Sequence, residues 1–345
     1  MSNSGHTTRT LLLSRFRPGT LFVSRGSDSN EDSTAEVLDS GHSQIRSFNI
    51  SSLDDGAEPY DFLDGHVWGW GLRNSVGVAE DPVHGGIWSV ENSVDELHRD
   101  GKDIHSNNPG EELNFHGFTN GSADGFILEK TGEQNNYGYP LYYAVWSTED
   151  FPFVDDIATG YQFAADGTTK ATDESCNKDY VAPVLTFQAH TAPLDIKFAK
   201  DGSEAFISFH GSCKRQPLSP HKTVPSALAN KYPGDREEPV GYKISSISFD
   251  SHGMPTASRD SRDAANDILT TPDLSKCPDD CFRPVGLAWD SKGRLWFSSD
   301  STGEIFVMEH SGGEGGSDGN SDASSLLQPK IVAALGFVVV GLLLA

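Results

Sequence analysis

A short cluster of side chains suited to acid–base chemistry stands near the start of the chain. The stretch GHTTRTLLLS places His6, two threonines and Arg9 directly before the apolar run Leu11–Leu13. An imidazole can take a proton near neutral pH because its unperturbed pKa is about 6.5. The residues alone also fit a disordered terminal histidine, so both interpretations are open at this point.

The four cysteines offer a second kind of chemistry. Cys277 and Cys281 enclose the loop CPDDC, in which a proline and two aspartates are turn-forming residues, and this favours a local disulfide. The alternative is a metal site completed by Cys176 and Cys213. These two do not form a second closely spaced pair, so the spacing argues against zinc.

The acidic composition disfavours one class of partner. The chain has 345 residues with 50 Asp and Glu against 26 Lys and Arg, a net charge of −24. Such a chain repels phosphate backbones, so nucleic acid is not expected as a partner.

The 35 glycines and 18 prolines are typical of a turn-rich β protein. Sequons at Asn49 and Asn120 favour a secreted glycoprotein.

The C-terminal segments have the order of a glycosylphosphatidylinositol (GPI) anchor signal. Residues 311–330 are mostly small and polar and predict a flexible stalk, and residues 331–345 are apolar but shorter than the roughly 20 residues of a spanning helix. A short tail anchor is the alternative. A GPI anchor requires secretion, yet residues 1–20 contain no signal peptide. We therefore expect further sequence upstream, and a cell-surface protein that meets the membrane only through this lipid anchor.

A repeated pair of strands predicts the fold. A short apolar strand, a turn with Gly and Asp or Pro, and an aromatic or branched strand recur from Thr8, Asn74, Leu194 and Val285. Helical periodicity is rare. Such repeats are typical of a β-propeller, with a β-sandwich as the alternative. Residues 1–310 are thus predicted to form an all-β, partial propeller domain with about four blades.

Eight motifs in order point to one family. They are GHTTRTLLLS, GWGLRNSVGVAEDP, NPGEELNFHG, NNYGYP, FQAHTAPLDIKF, FHGS, GYK and CFRPVGLAWDSKGRLWFSSDSTGEIF. With these motifs the chain resembles the quinoprotein glucose/sorbosone dehydrogenases, closest to their fungal branch of pyrroloquinoline quinone (PQQ)-dependent pyranose dehydrogenases. The resemblance implies a six-bladed propeller whose N-terminal blades and signal peptide lie before residue 1.

The resemblance also implies a reaction and its central residues. The C1 hydroxyl of a sugar is oxidised, with hydride transfer to PQQ. His6 matches the family's base, with Arg9 close to it. Arg73 matches the arginine that stabilises charge on a quinone oxygen, and Asn74 a donor to a PQQ carbonyl; an arginine paired with a nearby acid is the plain alternative for Arg73.

Calcium is the cation that the resemblance implies. The backbone carbonyls of Ser93 and Val94 match its ligands, and the insertion DELHRDGKDIHSNN separates them from the GEELN motif. Glu111 and Glu112 match acids that hold a second calcium in bacterial relatives. Two adjacent carboxylates in a solvated loop are the alternative.

Basic residues are expected to bind the PQQ carboxylates. Arg283 is the first choice and Arg215 and Lys243 follow, while His190 and Thr191 match a segment that lines the cofactor pocket. The family often has Trp where this chain has Cys213 in GSCKR, which leaves the position of Arg215 open and allows a disulfide with Cys176. His116 is interpreted as structural.

The function expected from the sequence is a PQQ- and Ca²⁺-dependent sugar dehydrogenase, present as part of the whole enzyme. Its partners would be a sugar substrate and an electron acceptor, for which a b-type cytochrome is one candidate. A non-catalytic carbohydrate-binding propeller and a Ca²⁺-dependent lactonase-like hydrolase are the alternatives.

Overall fold

The chain is built mainly of β-sheet. The computed structural model describes residues 3–51, 53, 56–119, 135–149, 151–152, 157–165, 171–212, 239–309 and 330–336, the last of these as backbone alone. This part of the chain forms four four-stranded sheets and one α-helix, α1 (Asp173–Asp179). Short 3-10 helices span Ser33–Glu36, Leu38–Ser40, Phe62–Asp64 and Leu274–Lys276. The all-β expectation is therefore confirmed.

The first two sheets are antiparallel and follow each other along the chain. The first contains β1 (Leu11–Leu13), β2 (Thr20–Arg25), β3 (Gln44–Asn49) and β4 (His66–Trp70) in that order. The second begins with β5 (Ser75–Glu80) and β6 (Gly86–Glu91); after a hairpin of β7 (His98–Arg99) and β8 (Lys102–Asp103), it continues with β9 (Glu111–Phe118). A pair of strands, β10 (Tyr142–Ala144) and β11 (Gln162–Ala164), precedes α1, and β12 (Leu185–Phe187) completes the second sheet beside β9.

The third and fourth sheets repeat the same order. The third contains β13 (Pro193–Phe198), β14 (Glu204–Phe209), β15 (Lys243–Ser248) and β16 (Asn266–Thr270). The fourth contains β17 (Pro284–Trp289), β18 (Leu295–Ser299), β19 (Glu304–Glu309) and β20 (Lys330–Gly336). All four hairpins predicted from the repeated sequence pattern are confirmed as the first two strands of these sheets.

An Asp side chain closes one of these hairpins, and a glycine shapes the turn of another. In the turn between β5 and β6, the Asp81 carboxylate accepts hydrogen bonds from the backbone N–H groups of Val83 and His84, at 2.8 and 3.2 Å. In the turn between β13 and β14, Gly202 has a φ of +72°, which side chains rarely adopt. The Asp and Gly in the repeated pattern thus have defined local roles.

Neighbouring sheets pack face to face through buried side chains. Phe22 and Ile45 of the first sheet share a core with Val78 of the second. Between the second and third sheets, the rings of Trp88 and Phe249 lie 5.2 Å apart in an edge-to-face contact. This packing follows from the strand pattern, since alternate residues of a strand point to opposite faces of its sheet.

The first strand of each sheet lies next to the first strand of the neighbouring sheet. Strand β5 contacts both β1 and β13, and β13 contacts β17. The segment that leads into each of these strands therefore approaches the same region of the molecule. We call β1, β5, β13 and β17 the inner strands.

The predicted local disulfide is present. Cys277 and Cys281 are bonded to each other, and both are buried against Tyr242. Cys176 is buried on α1 and has no disulfide partner among the described residues. Its proposed partner, Cys213, lies outside the described residues, so that pairing stays a prediction.

Part of the predicted C-terminal tail pairs with the fourth sheet. Strand β20 lies antiparallel to β19, with Glu309 opposite Lys330 and Glu304 opposite Gly336. Residues 310–329 and 337–345 lie outside the described residues, as does the sequon at Asn120. Among the helices that the structure does describe, none has the length and apolar composition needed to cross a membrane.

The Glu80 carboxylate at the end of β5 joins the first two sheets. It accepts hydrogen bonds from the Ser14 and Thr119 hydroxyls, both at 2.6 Å, and from the Arg15 backbone N–H. Glu80→Ala should lower the free energy of unfolding by about 2–3 kcal/mol, because buried donors lose a charged acceptor. Urea denaturation measures this loss. The exposed Glu58→Ala should stay within about 0.5 kcal/mol of the wild type, and equal stabilities of the two variants would contradict the role of Glu80.

Candidate functional site

The candidate site lies where the segments before the inner strands meet. His6 and Arg9 precede β1, and Arg73 and Asn74 come directly before β5. Ser27, which follows β2, links these two segments, because its backbone N–H donates to the Arg73 carbonyl at 2.8 Å and its carbonyl accepts the His6 N–H at 3.1 Å. The residue types that the sequence singled out are thus placed together by the order of the strands.

Gly26 allows His6 and Asn74 to approach each other. A β-carbon at Gly26 would lie 2.5 Å from Asn74 Oδ1 and 2.8 Å from the β-carbon of His6. Neither distance is compatible with a side chain at this position. The two residues therefore flank the bare backbone of Gly26, which brings a candidate base and an amide to one place.

His6 is held in a single tautomer. Its Nδ1 lies 2.8 Å from the Ser27 hydroxyl, whose own hydrogen is donated to the Ser29 carbonyl at 2.7 Å. The hydroxyl must therefore accept from Nδ1–H, which leaves the lone pair on Nε2. Burial, and then the positive charge of Arg73, lowers the pKa of His6 to about 4, so its imidazole is neutral near pH 7.

The Arg73 guanidinium is fixed by three hydrogen bonds. Nε donates to the Asn30 carbonyl at 3.0 Å, Nη2 to Asn30 Oδ1 at 2.7 Å, and Nη1 to the Asn92 carbonyl at 3.1 Å. A guanidinium has five N–H donors. One hydrogen on each terminal nitrogen therefore has no acceptor among the described residues, and the pair could bind a developing oxyanion.

Asn30 was not predicted from the sequence. Besides holding Arg73, its Oδ1 accepts the backbone N–H of Asp95 at 2.9 Å and its Nδ2 donates to the Asp95 carbonyl at 2.8 Å. Its own carbonyl also accepts the Tyr139 hydroxyl at 2.9 Å. Asn30 stands in a polar loop without periodicity or a motif, so nothing local in the sequence marks it.

Glu111 is a buried carboxylate that holds two loops. Its Oε2 accepts the backbone N–H of Ser93 at 2.7 Å, and its Oε1 that of Ala192 at 3.2 Å. Burial raises the pKa of Glu111 to about 7. The carbonyl oxygens of Ser93 and Val94 accept no hydrogen bond from the described residues. They therefore remain available as oxygen ligands.

Glu112 belongs to a second buried group. The amide of Asn114 donates to Glu112 Oε2 at 3.1 Å and to Glu91 Oε2 at 3.0 Å. Burial raises the pKa of Glu112 to about 7, and burial together with the Glu112 charge raises that of Glu91 well above its usual range. The solvated-loop alternative for Glu111 and Glu112 is therefore wrong, because both lie buried on β9.

The described residues contain no group of three or more His, Cys, Asp and Glu side chains arranged to hold a metal ion. Glu111 and Glu112 are adjacent in a strand, so their side chains point to opposite faces. The second calcium site at these two residues stays a prediction. His116 is fully buried beside Tyr137, and burial lowers its pKa to about 3, as suits a structural histidine.

His190 and Thr191 are positioned beside the site by internal contacts. His190 Nδ1 lies 3.3 Å from Asp95 Oδ1, and its Nε2 contacts the His105 carbonyl. The Thr191 hydroxyl donates to the Gln188 carbonyl at 2.8 Å. These bonds engage both ring nitrogens of His190, so its evident role is to fix the loop before β13.

Arg283 directly precedes β17 and is part of a charged chain that sequence reasoning missed. Its Nη2 donates to His210 Nδ1 and to the Gly211 carbonyl, both at 3.0 Å. His210 Nε2–H then donates to the Asp300 carboxylate at 3.0 Å. Burial, and then the Arg283 charge, lowers the pKa of His210. The FHGS and SSDSTG motifs were the sequence signal for these two residues.

The remaining basic candidates differ in position. Arg9 Nη1 donates to the His6 carbonyl at 3.0 Å and so stays beside the candidate base. Lys243 lies on β15, not at an inner strand, and its ammonium is 2.8 Å from Asp267 Oδ1. Arg215 lies outside the described residues.

The chain matches the TrAA12-like family over residues 1–311. A PQQ-dependent sugar dehydrogenase of Hypocrea jecorina is 51% identical over 321 residues, which cover 92% of this chain and 66% of that relative. The chain thus spans just under two thirds of the length of this curated relative.

Two solved structures are similar to the chain. The calcium structure of a Trichoderma reesei protein of carbohydrate-active enzyme family AA12 has a TM-score of 0.78 and 53% identity, covering 89% of this chain and 69% of that one. The holo form of the PQQ domain of a Coprinopsis cinerea pyranose dehydrogenase has a TM-score of 0.72 and 34% identity, covering 89% and 71%.

The environment of His6 makes its titration testable. The NMR signal of the His6 imidazole should titrate with a midpoint near 4, and Arg73→Gln should raise that midpoint because a neighbouring positive charge is lost. His6→Gln assigns the signal. Because the unfolded chain binds this proton near pH 6.5, the group also reduces stability as pH falls from about 6.5 to 4. A midpoint near 6.5 in both proteins would contradict the described environment.

Proposed function

Because the chain belongs to the TrAA12-like family, we propose that it oxidises the C1 hydroxyl of a pyranose or another aldose as a PQQ-dependent dehydrogenase. The expected family, with its PQQ-dependent sugar and pyranose dehydrogenases, is confirmed by the similarities. The observation that carries the proposal is the meeting of His6, a neutral imidazole, with Arg73, a fixed guanidinium. The activity is proposed for the whole protein, since the chain spans 66% of its curated relative.

The residues at the site suit an anionic quinone. Arg73 retains two N–H donors without an acceptor among the described residues, Asn74 adds an amide, and Arg9 beside His6 and Arg283 before β17 add positive charge. This concentration of cations stands out in a chain with a net charge of −24. When bound, PQQ supplies the electrophilic carbonyl that accepts hydride from the sugar.

The protein's own part in the reaction is to move one proton and stabilise one charge. His6 takes the hydroxyl proton of the sugar at Nε2, the nitrogen whose lone pair is unused. Arg73 stabilises the negative charge that grows on the acceptor oxygen. The three hydrogen bonds to Asn30 and Asn92 keep the guanidinium in place, so little reorganisation accompanies the reaction.

We also propose that calcium binds to the carbonyls of Ser93 and Val94. Calcium prefers oxygen ligands, including backbone carbonyls. Glu111 would orient these ligands without binding the ion itself. Its Oε2 accepts the Ser93 backbone N–H at 2.7 Å and so fixes the orientation of that peptide group. A cation here would lie on the loop that also carries Asn92, which binds Arg73.

The architecture and setting are proposed from the same family. The four sheets with adjacent inner strands would be blades of a propeller, six-bladed in the complete enzyme. A sugar is the proposed substrate and a b-type cytochrome one candidate electron acceptor. Secretion and a C-terminal lipid anchor are likewise proposals, supported by the order of segments in the sequence.

Arg73→Ala tests the mechanism. Turnover of an aldose with PQQ, Ca²⁺ and an artificial acceptor should fall by about 10²–10³-fold, with little change in KM, because the lost donors act mainly on charge that develops in the transition state. The assay uses protein expressed from the complete gene. Arg294→Ala, which removes an arginine paired with Asp290, is the control and should keep full turnover. Equal turnover in the two variants would remove Arg73 from the mechanism.

Glu111→Ala tests the calcium site. Losing the acceptor for Ser93 should weaken calcium binding by about 10–100-fold, the usual effect of removing a residue that orients a ligand. Isothermal titration with Ca²⁺ measures this directly, and Glu174→Ala on the exposed face of α1 is the matched control. Unchanged affinity in Glu111→Ala, or no calcium binding by the wild type, would overturn the assignment.

A further inference from the structure

A small cavity lies outside the ring of residues that precede the inner strands. It has a volume of about 80 Å³ and is lined by Phe187 at the end of β12, Phe209 at the end of β14, and Ala264 and Ala265 just before β16. Strands β12 and β16 are the strands farthest from the inner strands in the second and third sheets. The cavity therefore lies between the outer parts of these sheets. Thr191, which also lines it, is one of the residues beside the candidate site.

One cation at this cavity has no acid partner in the described structure. The Arg262 guanidinium lies over the Trp146 ring, 4.7 Å from its centroid, and makes no hydrogen bond or ion pair with the described residues. Lys243, the other lining cation, is bound to Asp267 at 2.8 Å. In a chain with 50 acidic and 26 basic residues, an arginine stacked on a tryptophan without an acid is unexpected on charge alone.

The platform beneath Arg262 is preformed. The backbone N–H of Trp146 donates to Asn108 Oδ1 at 2.8 Å, and its carbonyl accepts the Thr159 hydroxyl at 2.9 Å. These bonds fix the ring on which the guanidinium stacks. A stacked arginine keeps its N–H edge available for a planar acceptor.

Two polar residues complete the lining of the cavity. Thr186 is 1% exposed, and its hydroxyl is buried without a hydrogen-bond partner in the described part of the chain, so it offers no accessible donor. Its methyl group faces the close-packed backbone of Gly110. Gln188 also lines the cavity and is exposed. Because Lys243 is bound to Asp267, the Arg262 guanidinium is the cation available to a ligand here.

We propose that this cavity binds the carboxylate of an acidic sugar, a hexuronate. Arg262 donates two parallel hydrogen bonds to the carboxylate. The volume of about 80 Å³ accommodates a carboxylate and the atoms bonded to it, so the sugar ring lies at the mouth. Phe187 and Phe209 form the apolar wall. The choice of a sugar as the molecule that carries the carboxylate rests on the proposed function. The binding of a carboxylate at this cavity does not rest on it.

The test measures binding without catalysis. Methyl β-D-glucuronide has a blocked C1 and cannot be oxidised there, so its binding to the full chain by isothermal titration in 50 mM salt does not depend on PQQ or turnover. Methyl β-D-glucoside is the neutral comparison, and acetate is the carboxylate without a ring. Arg262→Gln removes the proposed contact, and Arg259→Gln removes an exposed arginine from the same loop as the matched control.

The glucuronide should bind at least tenfold more tightly than the glucoside or acetate. Arg262→Gln should weaken that binding by about 10–100-fold, the range for a lost charge-assisted pair, while Arg259→Gln leaves it unchanged. Equal binding of acetate and glucuronide would overturn the sugar assignment. No glucuronide binding, or full binding by Arg262→Gln, would overturn the site. If the wild-type protein bound the glucuronide but did not oxidise an aldose with PQQ, the result would count against the proposed function alone.

Discussion

The Arg73 guanidinium is the contact on which the candidate site depends. It joins Asn30, in the loop after β2, to Asn92, in the loop after β6. Asn92 in turn donates through its amide to the Pro193 carbonyl at 2.6 Å, at the start of β13. One buried cation therefore connects the loops of three successive sheets.

Buried acids hold the loops around this cation. Glu91 accepts the Arg73 backbone N–H, and Glu111 accepts two further backbone N–H groups from the loops beside it. Burying a carboxylate is costly unless hydrogen bonds replace its water, and these backbone donors supply that replacement. The site therefore combines basic side chains that suit an anionic ligand with buried acids that bind the backbone N–H groups of the surrounding loops.

The sequence predicted the local parts of this structure well. The four hairpins and the disulfide between Cys277 and Cys281 agree with the structure. His6, Arg73 and Asn74 were singled out by the family resemblance, and it is the fold that brings them together. The solvated-loop alternative for Glu111 and Glu112 was wrong, because both residues are buried on β9. Two adjacent acids in a sequence suggest an exposed loop unless the strand that buries them is known. Asn30 was missed, since a single polar residue in a loop carries no pattern, and Asp300 was missed although it stands in the SSDSTG motif.

The sequence by itself determined what neighbouring residues decide: strand alternation, the Asp and Gly turns, and the family motifs before the inner strands. Only the tertiary structure decided which groups share a site. Arg73 meets an asparagine 43 positions earlier, and His190 meets the carbonyl of His105 across 85 positions. Such contacts depend on how the sheets pack. The order of strands fixes which loops meet. The Ser27 hydroxyl then fixes the tautomer of His6, and burial raises the pKa of Glu91, Glu111 and Glu112.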